Sequence, residues 1–338
     1  MGTPYHMKKD CKIAVIGGGS WATAIVKILC NNVKPVYWWV RESEIKEGIE
    51  KFNHNPLYLS DVEFHHNSII ISNDIVEIVS QATDVIFVVP AAFLCDSISP
   101  LPLDIFKGKR VYSAIKGIIP GRNQIIADFL NEVYNVSLQD ICIISGPSHA
   151  EEIALEKLTY LTFASQNQKM AEFMASKFEC RYVKTSTSDD IYGTEYAAVL
   201  KNIYAIAVGI SKGLGYGDNF VAVLIANAIQ EMEKFIEKVH PINRNLYNSV
   251  YLGDLMVTAY SQFSRNRTFG NMIGAGYSVK TAQLEMKMIA EGYYATKGIK
   301  EINKLHDVDL PIFNAVYNIL YENMSPYIEI KLLSDKLK

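Results

Sequence analysis

The sequence has few cysteines, and no two of them lie close together. There are five in 338 residues, at Cys11, Cys30, Cys95, Cys142 and Cys180. Such scattered thiols are typical of reduced packing residues and argue against a disulfide framework or a zinc site. We therefore expect a cytoplasmic protein without a bound metal.

The sequence also lacks an excess of positive charge, a long apolar run and an internal repeat. The formal net charge is -3, which argues against nucleic acid or an anionic membrane as a partner. Residues 1–10 are polar and lack the apolar core of a signal peptide, and no later stretch of about 18 uncharged apolar residues occurs. We expect no membrane insertion.

Apolar residues make up 49% of the chain, which is enough for about two domains with a core each. Up to about Ser188, short apolar runs alternate with helical patterns, and beyond it only helical periodicity remains. The predicted strands are 11–16, 35–40, 84–89, 111–115, 141–145, 161–164 and 182–185. The pattern predicts an α/β fold, with a Rossmann-like doubly wound sheet over residues 11–189 and an all-α domain over residues 190–338.

The first predicted strand runs into a glycine-rich turn that opens a helix. Gly17, Gly19 and Ala22 have the spacing of a dinucleotide-binding loop, in which the backbone approaches a pyrophosphate at a helix N-terminus. Glycine clusters occur in many other turns, but here both the strand and the helix are present. We therefore predict a bound dinucleotide.

The residues after the second predicted strand bear on which dinucleotide is bound. This position often holds an acidic residue for the ribose of NAD, whereas this chain has Arg41 followed by Glu42. An arginine here suits the 2′-phosphate of NADPH, and it can equally be a solvated charge at a strand end. We expect NADPH or NADH, with NADPH slightly favoured.

Two other strand ends carry polar residues. Lys116 follows the predicted strand 111–115 and would project a cation into the crevice at the carboxyl edge of the sheet. Gly146 and Ser148 follow the strand 141–145, in a turn whose N–H groups and hydroxyl can hold an anion. A surface lysine and a plain loop are the alternatives for these two segments.

In the second half, Lys201 lies in a helical segment that is almost wholly apolar. At 3.6 residues a turn, its stripe includes Ala197, Tyr204 and Val208. A lysine in apolar surroundings loses proton affinity, which makes Lys201 a candidate acid/base group; the alternative is a long stem that reaches water. The carboxylate predicted to be buried at Asp254 needs a partner, and Lys201 is the obvious candidate.

A run of hydrogen-bond donors follows Asp254 along the chain. Ser264, Arg265 and Asn266 are consecutive and suit a phosphate, although an ordinary polar helix start would look the same. Thr258 is one helical turn after Asp254 and shares its face.

A long apolar helix is predicted over residues 220–239, capped by Asp218 or Asn219. Its first half is too apolar to be exposed on all sides. We expect it to pack against the other domain and against a second subunit, which predicts a homodimer.

Together these motifs resemble the bacterial type of NAD(P)-dependent glycerol-3-phosphate dehydrogenase. The resemblance spans about residues 12–330. In the family's order it comprises the glycine loop with Ser20 and Trp21, IKG around Lys116, SGPSHAEEIA at 145–154, VLKN at Lys201, GLGYGDN at 213–219, LGDL around Asp254 and SRNRTFG at 264–270. SGPS followed by AEE, and GDL followed by SRNR, are the most specific motifs. The residues after Lys116 depart from the usual acidic version.

The resemblance implies an enzyme that reversibly reduces dihydroxyacetone phosphate to sn-glycerol 3-phosphate with NAD(P)H, for phospholipid synthesis. Lys201 would exchange a proton with the substrate oxygen, Asp254 would orient Lys201, and Lys116 would add positive potential near the developing alkoxide. The implied substrate residues, besides these three, are Gly146, Ser148, Asn202, Thr258, Ser264, Arg265 and Asn266. The implied cofactor residues are Gly17, Gly19, Ser20, Trp21, Arg41, Lys116, Ala150, Arg265, Ile289 and Glu291.

Other functions stay open at this point. A β-hydroxyacid dehydrogenase shares the layout and a catalytic lysine but acts on a carboxylate substrate. A protein that binds NADPH without catalysis would not need Lys201, Asp254 and Arg265 together. A zinc alcohol dehydrogenase is disfavoured because the sequence has no Cys/His cluster. A lactate-type mechanism is disfavoured because, of seven histidines, only His149 falls in a suggestive motif.

Overall fold

A computed structural model describes residues 11–65, 67–286 and 290–338. Its first half contains an eight-stranded sheet in the order β3-β2-β1-β4-β5-β6-β7-β8. Neighbouring strands are parallel except for β6 and β7, which are antiparallel. The strands are β1 (Ile13–Ile16), β2 (Val36–Trp39), β3 (Ile69–Ser72), β4 (Asp84–Phe87), β5 (Arg110–Ser113), β6 (Ile141–Ser145), β7 (Thr159–Ala164) and β8 (Val183–Ser188).

Seven helices accompany the sheet in the described part of the chain, and eight follow it. The first group is α1 (Ser20–Leu29), α2 (Ser43–Phe52), α3 (Ile75–Gln81), α4 (Leu94–Ile98), α5 (Ile126–Tyr134), α6 (Ala150–Ala154) and α7 (Gln168–Phe178). The second group is α8 (Ile191–Gly213), α9 (Asp218–Val239), α10 (Asp254–Tyr260), α11 (Arg265–Gly274), α12 (Val279–Glu285), α13 (Glu291–His306), α14 (Pro311–Tyr321) and α15 (Pro326–Ser334). We call the two halves the sheet lobe and the helical lobe. The predicted fold class is confirmed.

Each face of the sheet carries its own apolar core, and a third core fills the helical lobe. Strands buried on both faces are expected where helices cover a parallel sheet on both sides. The centre of the helical lobe is α8, which is buried from Gly193 to Ser211 and packs against α9, α10, α11, α13 and α14. This buries the lysine within α8, Lys201, almost completely.

Close contact between α8 and α11 depends on glycine. A Cβ on Gly209 of α8 would lie 2.1 Å from the Arg267 carbonyl oxygen, and a Cβ on Gly270 of α11 would lie 2.2 Å from that of Ile206. Neither carbonyl can move without disturbing its helix. These glycines let the backbones touch, and they bring the first turn of α11 to the face of α8 that carries Lys201.

Two predictions about elements are wrong. β3 is missing from the predicted strands, although it pairs with β2 over its whole length. The helix predicted over 220–239 begins at Asp218 and its cap position is Gly217, with no side-chain cap. Asp218 is unavailable as a cap because its carboxylate pairs with Lys212.

In the described part of the chain, no helix is both long and apolar enough to cross a bilayer. The five cysteines are all free thiols. No cluster of three or more metal-ligating side chains occurs among the described residues.

Candidate active site

A cavity of about 360 Å³ lies between the two lobes, at the carboxyl ends of the strands. We call it the central cleft. It is lined by most of the site residues predicted from the sequence: Gly17, Gly19, Ser20, Trp21, Arg41, Lys116, Ser148, Ala150, Lys201, Asn202, Asp254, Thr258, Ser264, Arg265, Asn266 and Glu291. Ile289 lies outside the described residues. Side chains predicted from both lobes therefore meet in one place.

The turn between β1 and α1 is built for close approach of a ligand to the backbone. Gly17 has φ +140, and a Cβ there would lie 2.8 Å from the carbonyl oxygen of Val88, so only glycine fits. Gly19 has open space where its Cβ would stand, and no side chain caps α1. The first N–H groups of the helix are thus left for an anion. The residues present fit the pyrophosphate of a dinucleotide.

Trp21 and Lys116 form the wall next to this turn. The indole nitrogen of Trp21 donates to the carbonyl oxygen of Ala114 at 3.2 Å, which fixes the ring. The ammonium of Lys116 lies 5.8 Å from the ring centre, within cation–π range. Trp21 therefore holds Lys116 on the cleft side of the strand end.

At the centre of the cleft, two lysines share the carboxylate of Asp254. Lys201 Nζ pairs with Oδ1, and Lys116 Nζ lies 3.3 Å from Oδ2. Lys201 is only 4% exposed and Asp254 1%, so both charges are held away from water. The predicted partnership of Lys201 with Asp254 is confirmed.

Burial controls the protonation of this cluster. It lowers the pKa of Lys201 to about 7, with Lys116 adding to the effect and Asp254 opposing it. Burial works to raise the pKa of Asp254, but the two lysines outweigh it and hold that pKa below its usual value. The cluster therefore combines a fixed negative charge with an amine that exchanges its proton near neutral pH.

Hydrogen bonds between side chains and backbone carbonyl oxygens hold Lys116 and Asp254 in place. Asn202 donates from Nδ2 to the Lys116 carbonyl oxygen at 2.9 Å, and the Thr258 hydroxyl donates to the Asp254 carbonyl oxygen at 2.6 Å. The carbonyl oxygen of Gly146 accepts from Lys116 Nζ at 3.0 Å. Gly146, which the sequence predicts in the substrate site, is buried and is not among the residues that line the cleft, but its carbonyl oxygen contacts two that are, Lys116 and Ser148.

The other end of the helical wall is the first turn of α11. Ser264 is its cap and accepts from the N–H of Arg267 at 3.3 Å. Asn266 Oδ1 accepts from the N–H of Gly292 at 2.9 Å, which leaves its amide hydrogens as donors. Arg265 lines the cleft between them. The amide hydrogens of Asn266 and the guanidinium of Arg265, both on residues that line the cavity, suit an oxyanion.

Glu291 closes the cleft behind Arg265. Burial raises the pKa of Glu291 to about 7, while Arg265 and the N–H of Ala91 oppose the change. That N–H donates to Oε1 at 3.3 Å. The contact joins α13 of the helical lobe to the loop after β4, so Glu291 links the two walls of the cleft.

Among the site residues missing from the sequence prediction are Ser145, Glu42 and His149. Ser145, the last residue of β6, donates from its hydroxyl to Asp254 Oδ2 at 3.5 Å; its place at a strand end is the signal that could have identified it. Glu42 lines the cleft beside Arg41. His149 also lines it, and burial lowers the pKa of its ring to about 4, which keeps the imidazole neutral.

Family comparisons cover almost the whole chain. The model described as the N-terminus of NAD-dependent glycerol-3-phosphate dehydrogenase matches residues 12–171, and the model of the C-terminus matches residues 190–331. A protein named glycerol-3-phosphate dehydrogenase [NAD(P)+] from Oceanobacillus iheyensis is 34% identical over 327 residues, covering 97% of this chain and 94% of that protein. One of the same name from Chlorobium chlorochromatii is 34% identical over 311 residues, covering 92% and 93%.

Solved structures of similar proteins agree with the family comparison. Glycerol-3-phosphate dehydrogenase from Coxiella burnetii has a TM-score of 0.89 at 28% identity, covering 96% of this chain and 98% of that one. A ketopantoate reductase from Ralstonia eutropha has a TM-score of 0.59 at 15% identity, covering 96% and 99%. The second likeness extends to the fold alone.

Proposed function

The chain belongs to the NAD-dependent glycerol-3-phosphate dehydrogenase family, and from this membership we propose how its central cleft works. The protein is an oxidoreductase that uses NAD(P)H to convert dihydroxyacetone phosphate to sn-glycerol 3-phosphate, reversibly. The observation that supports our assignment of roles is the buried Lys201–Asp254–Lys116 cluster, which lies in the same cleft as the glycine turn and Arg265.

Reduction of a ketone needs a hydride at carbon and a proton at oxygen. The nicotinamide of the bound cofactor supplies the hydride. Lys201 donates the proton to the carbonyl oxygen and takes it back in the reverse reaction, because its pKa of about 7 allows both states near neutral pH. The side chain of Lys116 adds positive potential near the oxygen as that oxygen becomes negative. Asp254 holds both amines in position.

The phosphate of the substrate is assigned to the first turn of α11. Ser264, Arg265 and Asn266 line the cleft there. The guanidinium supplies charge, and the Asn266 amide supplies donors that its own contact with Gly292 leaves available. Asn202, Thr258 and Ser148 complete the substrate pocket between the phosphate and the lysines.

The cofactor is assigned to the sheet side of the cleft. Gly17, Gly19 and Ser20 would hold the pyrophosphate at the start of α1. The residues assigned to the remainder of the nucleotide are Trp21, Arg41, Lys116, Ala150, Arg265, Ile289 and Glu291.

A β-hydroxyacid dehydrogenase is the alternative that a substrate comparison separates. The test follows oxidation of NADPH and of NADH with dihydroxyacetone phosphate and, in parallel, with 2-methyl-3-oxopropanoate. We expect turnover with the phosphorylated ketone and formation of sn-glycerol 3-phosphate, because Arg265 and its neighbours suit a phosphate. Turnover with the carboxylate alone would contradict the proposal.

We further propose a homodimer in the cytoplasm, with a domain boundary near Asp189. Free, scattered cysteines support a reducing compartment. The support for a second copy is a set of exposed apolar side chains on α9 and α15, namely Val223, Tyr327, Ile328 and Leu332. The support for the boundary is that β8 ends at Ser188 and α8 begins at Ile191. Light scattering of the purified chain tests the dimer.

A further inference from the structure

Glu42 occupies an unusual place beside the nucleotide side of the cleft. It comes directly after Arg41 in the segment that follows β2, next to the position where dinucleotide-binding folds place the acidic residue that accepts from the ribose 2′-hydroxyl. It is the cap residue of α2, yet its side chain makes no capping hydrogen bond. Its Oε2 lies 3.4 Å from where a Cβ on Gly18 would stand. The carboxylate thus faces the glycine turn and is not used to cap its own helix.

The same carboxylate engages Arg41. Both Nε and Nη2 of Arg41 donate to Oε1 of Glu42, at 3.0 and 2.6 Å. The guanidinium also lies 5.9 Å from the ring centre of Phe93, and all three side chains line the central cleft. The arginine expected to meet a 2′-phosphate is therefore neutralised by its neighbour.

The Arg41–Glu42 pair affects the binding of NADPH and the binding of NADH differently. A 2′-phosphate must either displace Glu42 from the guanidinium or share the guanidinium with it. In both cases the phosphate lies next to an anionic carboxylate, which is unfavourable. A ribose 2′-hydroxyl carries no charge and can donate to the free Oε2. The pair is too exposed to stabilise the fold by much, since the Arg41 side chain is 67% exposed and that of Glu42 33%. Because the Arg41–Glu42 pair lies in the cleft, it affects nucleotide binding more than it affects stability.

We propose that Glu42 is the residue that sets the preference between NADPH and NADH, by opposing Arg41 and by offering its carboxylate to the ribose. This rests on the cofactor placement of the proposed function and goes further, since it assigns a role to a residue outside that set. With Glu42 present, the chain uses both nucleotides. Without its charge, the site becomes selective for NADPH.

The experiment measures dissociation constants for NADPH and NADH with the wild type, Glu42→Gln and Glu44→Gln. Quenching of Trp21 and Trp39, which line the cleft, reports binding without turnover. Glu44 is exposed in the first turn of α2, so its substitution removes the same charge from the same helix end. Circular dichroism shows that each variant is folded.

The ratio of the NADH to the NADPH dissociation constant should rise at least about fivefold in Glu42→Gln, the effect expected for one nearby charge, and stay unchanged in Glu44→Gln. Three results would overturn the inference: a ratio in Glu42→Gln within about twofold of the wild-type ratio, a ratio below the wild-type ratio, or a ratio that rises equally in both variants.

The titration contains no ketone, so it tests nucleotide binding separately from the proposed reaction. A protein that binds nucleotides and shows the shift but does not reduce dihydroxyacetone phosphate would refute the proposed substrate and leave the role of Glu42 intact. A wild type that binds neither nucleotide would refute both.

Discussion

The carboxylate of Asp254 lies between two lysines, and this arrangement supports the roles proposed for them. A buried carboxylate is costly without partners, and here each oxygen has a cation next to it. Lys201 is the more buried of the two lysines. Burial lowers its pKa, and the charge of Lys116 adds to that effect while Asp254 opposes it.

The rate of reaction should depend on pH through Lys201. Its amine must be protonated to donate, so kcat/KM for reduction should fall by about tenfold for each pH unit above its pKa, which is about 7. In the oxidation direction the amine must be neutral, so the rate should rise over the same range. Initial rates in both directions between pH 5.5 and 9 check this. Profiles that are flat, or that move together, would exclude Lys201 as the proton-exchanging group.

Replacing Arg265 should weaken substrate binding selectively. In Arg265→Ala the KM for dihydroxyacetone phosphate should rise by roughly 100-fold, because a charge-assisted contact to phosphate is lost. The matched control is Arg267→Ala, two residues later in α11. Arg267 donates to the carbonyl oxygen of Ser261 and does not line the cleft, so its KM should stay near the wild-type value. An unchanged KM in Arg265→Ala would place the phosphate elsewhere.

The site residues that stand out in the sequence are those whose type conflicts with their local setting. A lysine in an apolar helix and a carboxylate among apolar neighbours both need an explanation, and they explain each other once paired. Ser145 and Glu42 are residues of ordinary type in ordinary local settings. Their positions at or just after strand ends mark them only as candidates, because the atoms that lie opposite them are set by the fold.

At the scale of elements, the apolar runs of the sequence predict the positions of the strands more accurately than the residues at which the strands end. The run 84–89 contains β4, which ends at Phe87, and the run 111–115 overlaps β5, which ends at Ser113. The residues just beyond those strand ends are also apolar because they line the cleft. Val88, Val89 and Ile115 are examples. Hydrophobicity reports burial, whereas the end of a strand is set by backbone pairing.

The contact between α8 and α11 should be sensitive to a single methyl group. In Gly270→Ala the new Cβ would lie 2.2 Å from the Ile206 carbonyl oxygen, so the helices must separate, at a cost of about 1 to 3 kcal/mol. Gly217→Ala is the control, because no atom lies within 4 Å of its Cβ position. Its effect should stay below about 1 kcal/mol.

Urea denaturation of both variants measures the free energy of unfolding, and steady-state kinetics show whether the site is disturbed. Because α11 carries Arg265, the KM for dihydroxyacetone phosphate should rise in Gly270→Ala and not in Gly217→Ala. Equal stability and equal KM in the two variants would mean that the contact between the helices can adjust freely.

At the scale of the whole molecule, buried carboxylates of the helical lobe bind backbone N–H groups of the sheet lobe. Glu195 of α8 accepts from Ile126 and Ala127, both at 3.1 Å, at the start of α5. Burial raises the pKa of Glu195 to about 8. Glu291 makes the corresponding contact to Ala91 across the cleft. These contacts join residues far apart in the chain, so periodicity could not predict them.

The central claim is that one cleft holds the nucleotide, the phosphorylated ketone and the lysine that exchanges the proton. Lys201→Met tests it most directly, since it removes the amine and keeps most of the volume. Lys212→Ala is the control, because Lys212 is in the last turn of the same helix and pairs with exposed Asp218.

The measurement is turnover of dihydroxyacetone phosphate by NADPH, together with the dissociation constant of NADPH. We predict that Lys201→Met lowers kcat by about 1000-fold or more while the dissociation constant changes by less than about threefold, and that Lys212→Ala leaves both near the wild-type values. Retention of more than about a tenth of wild-type turnover in Lys201→Met would contradict the account.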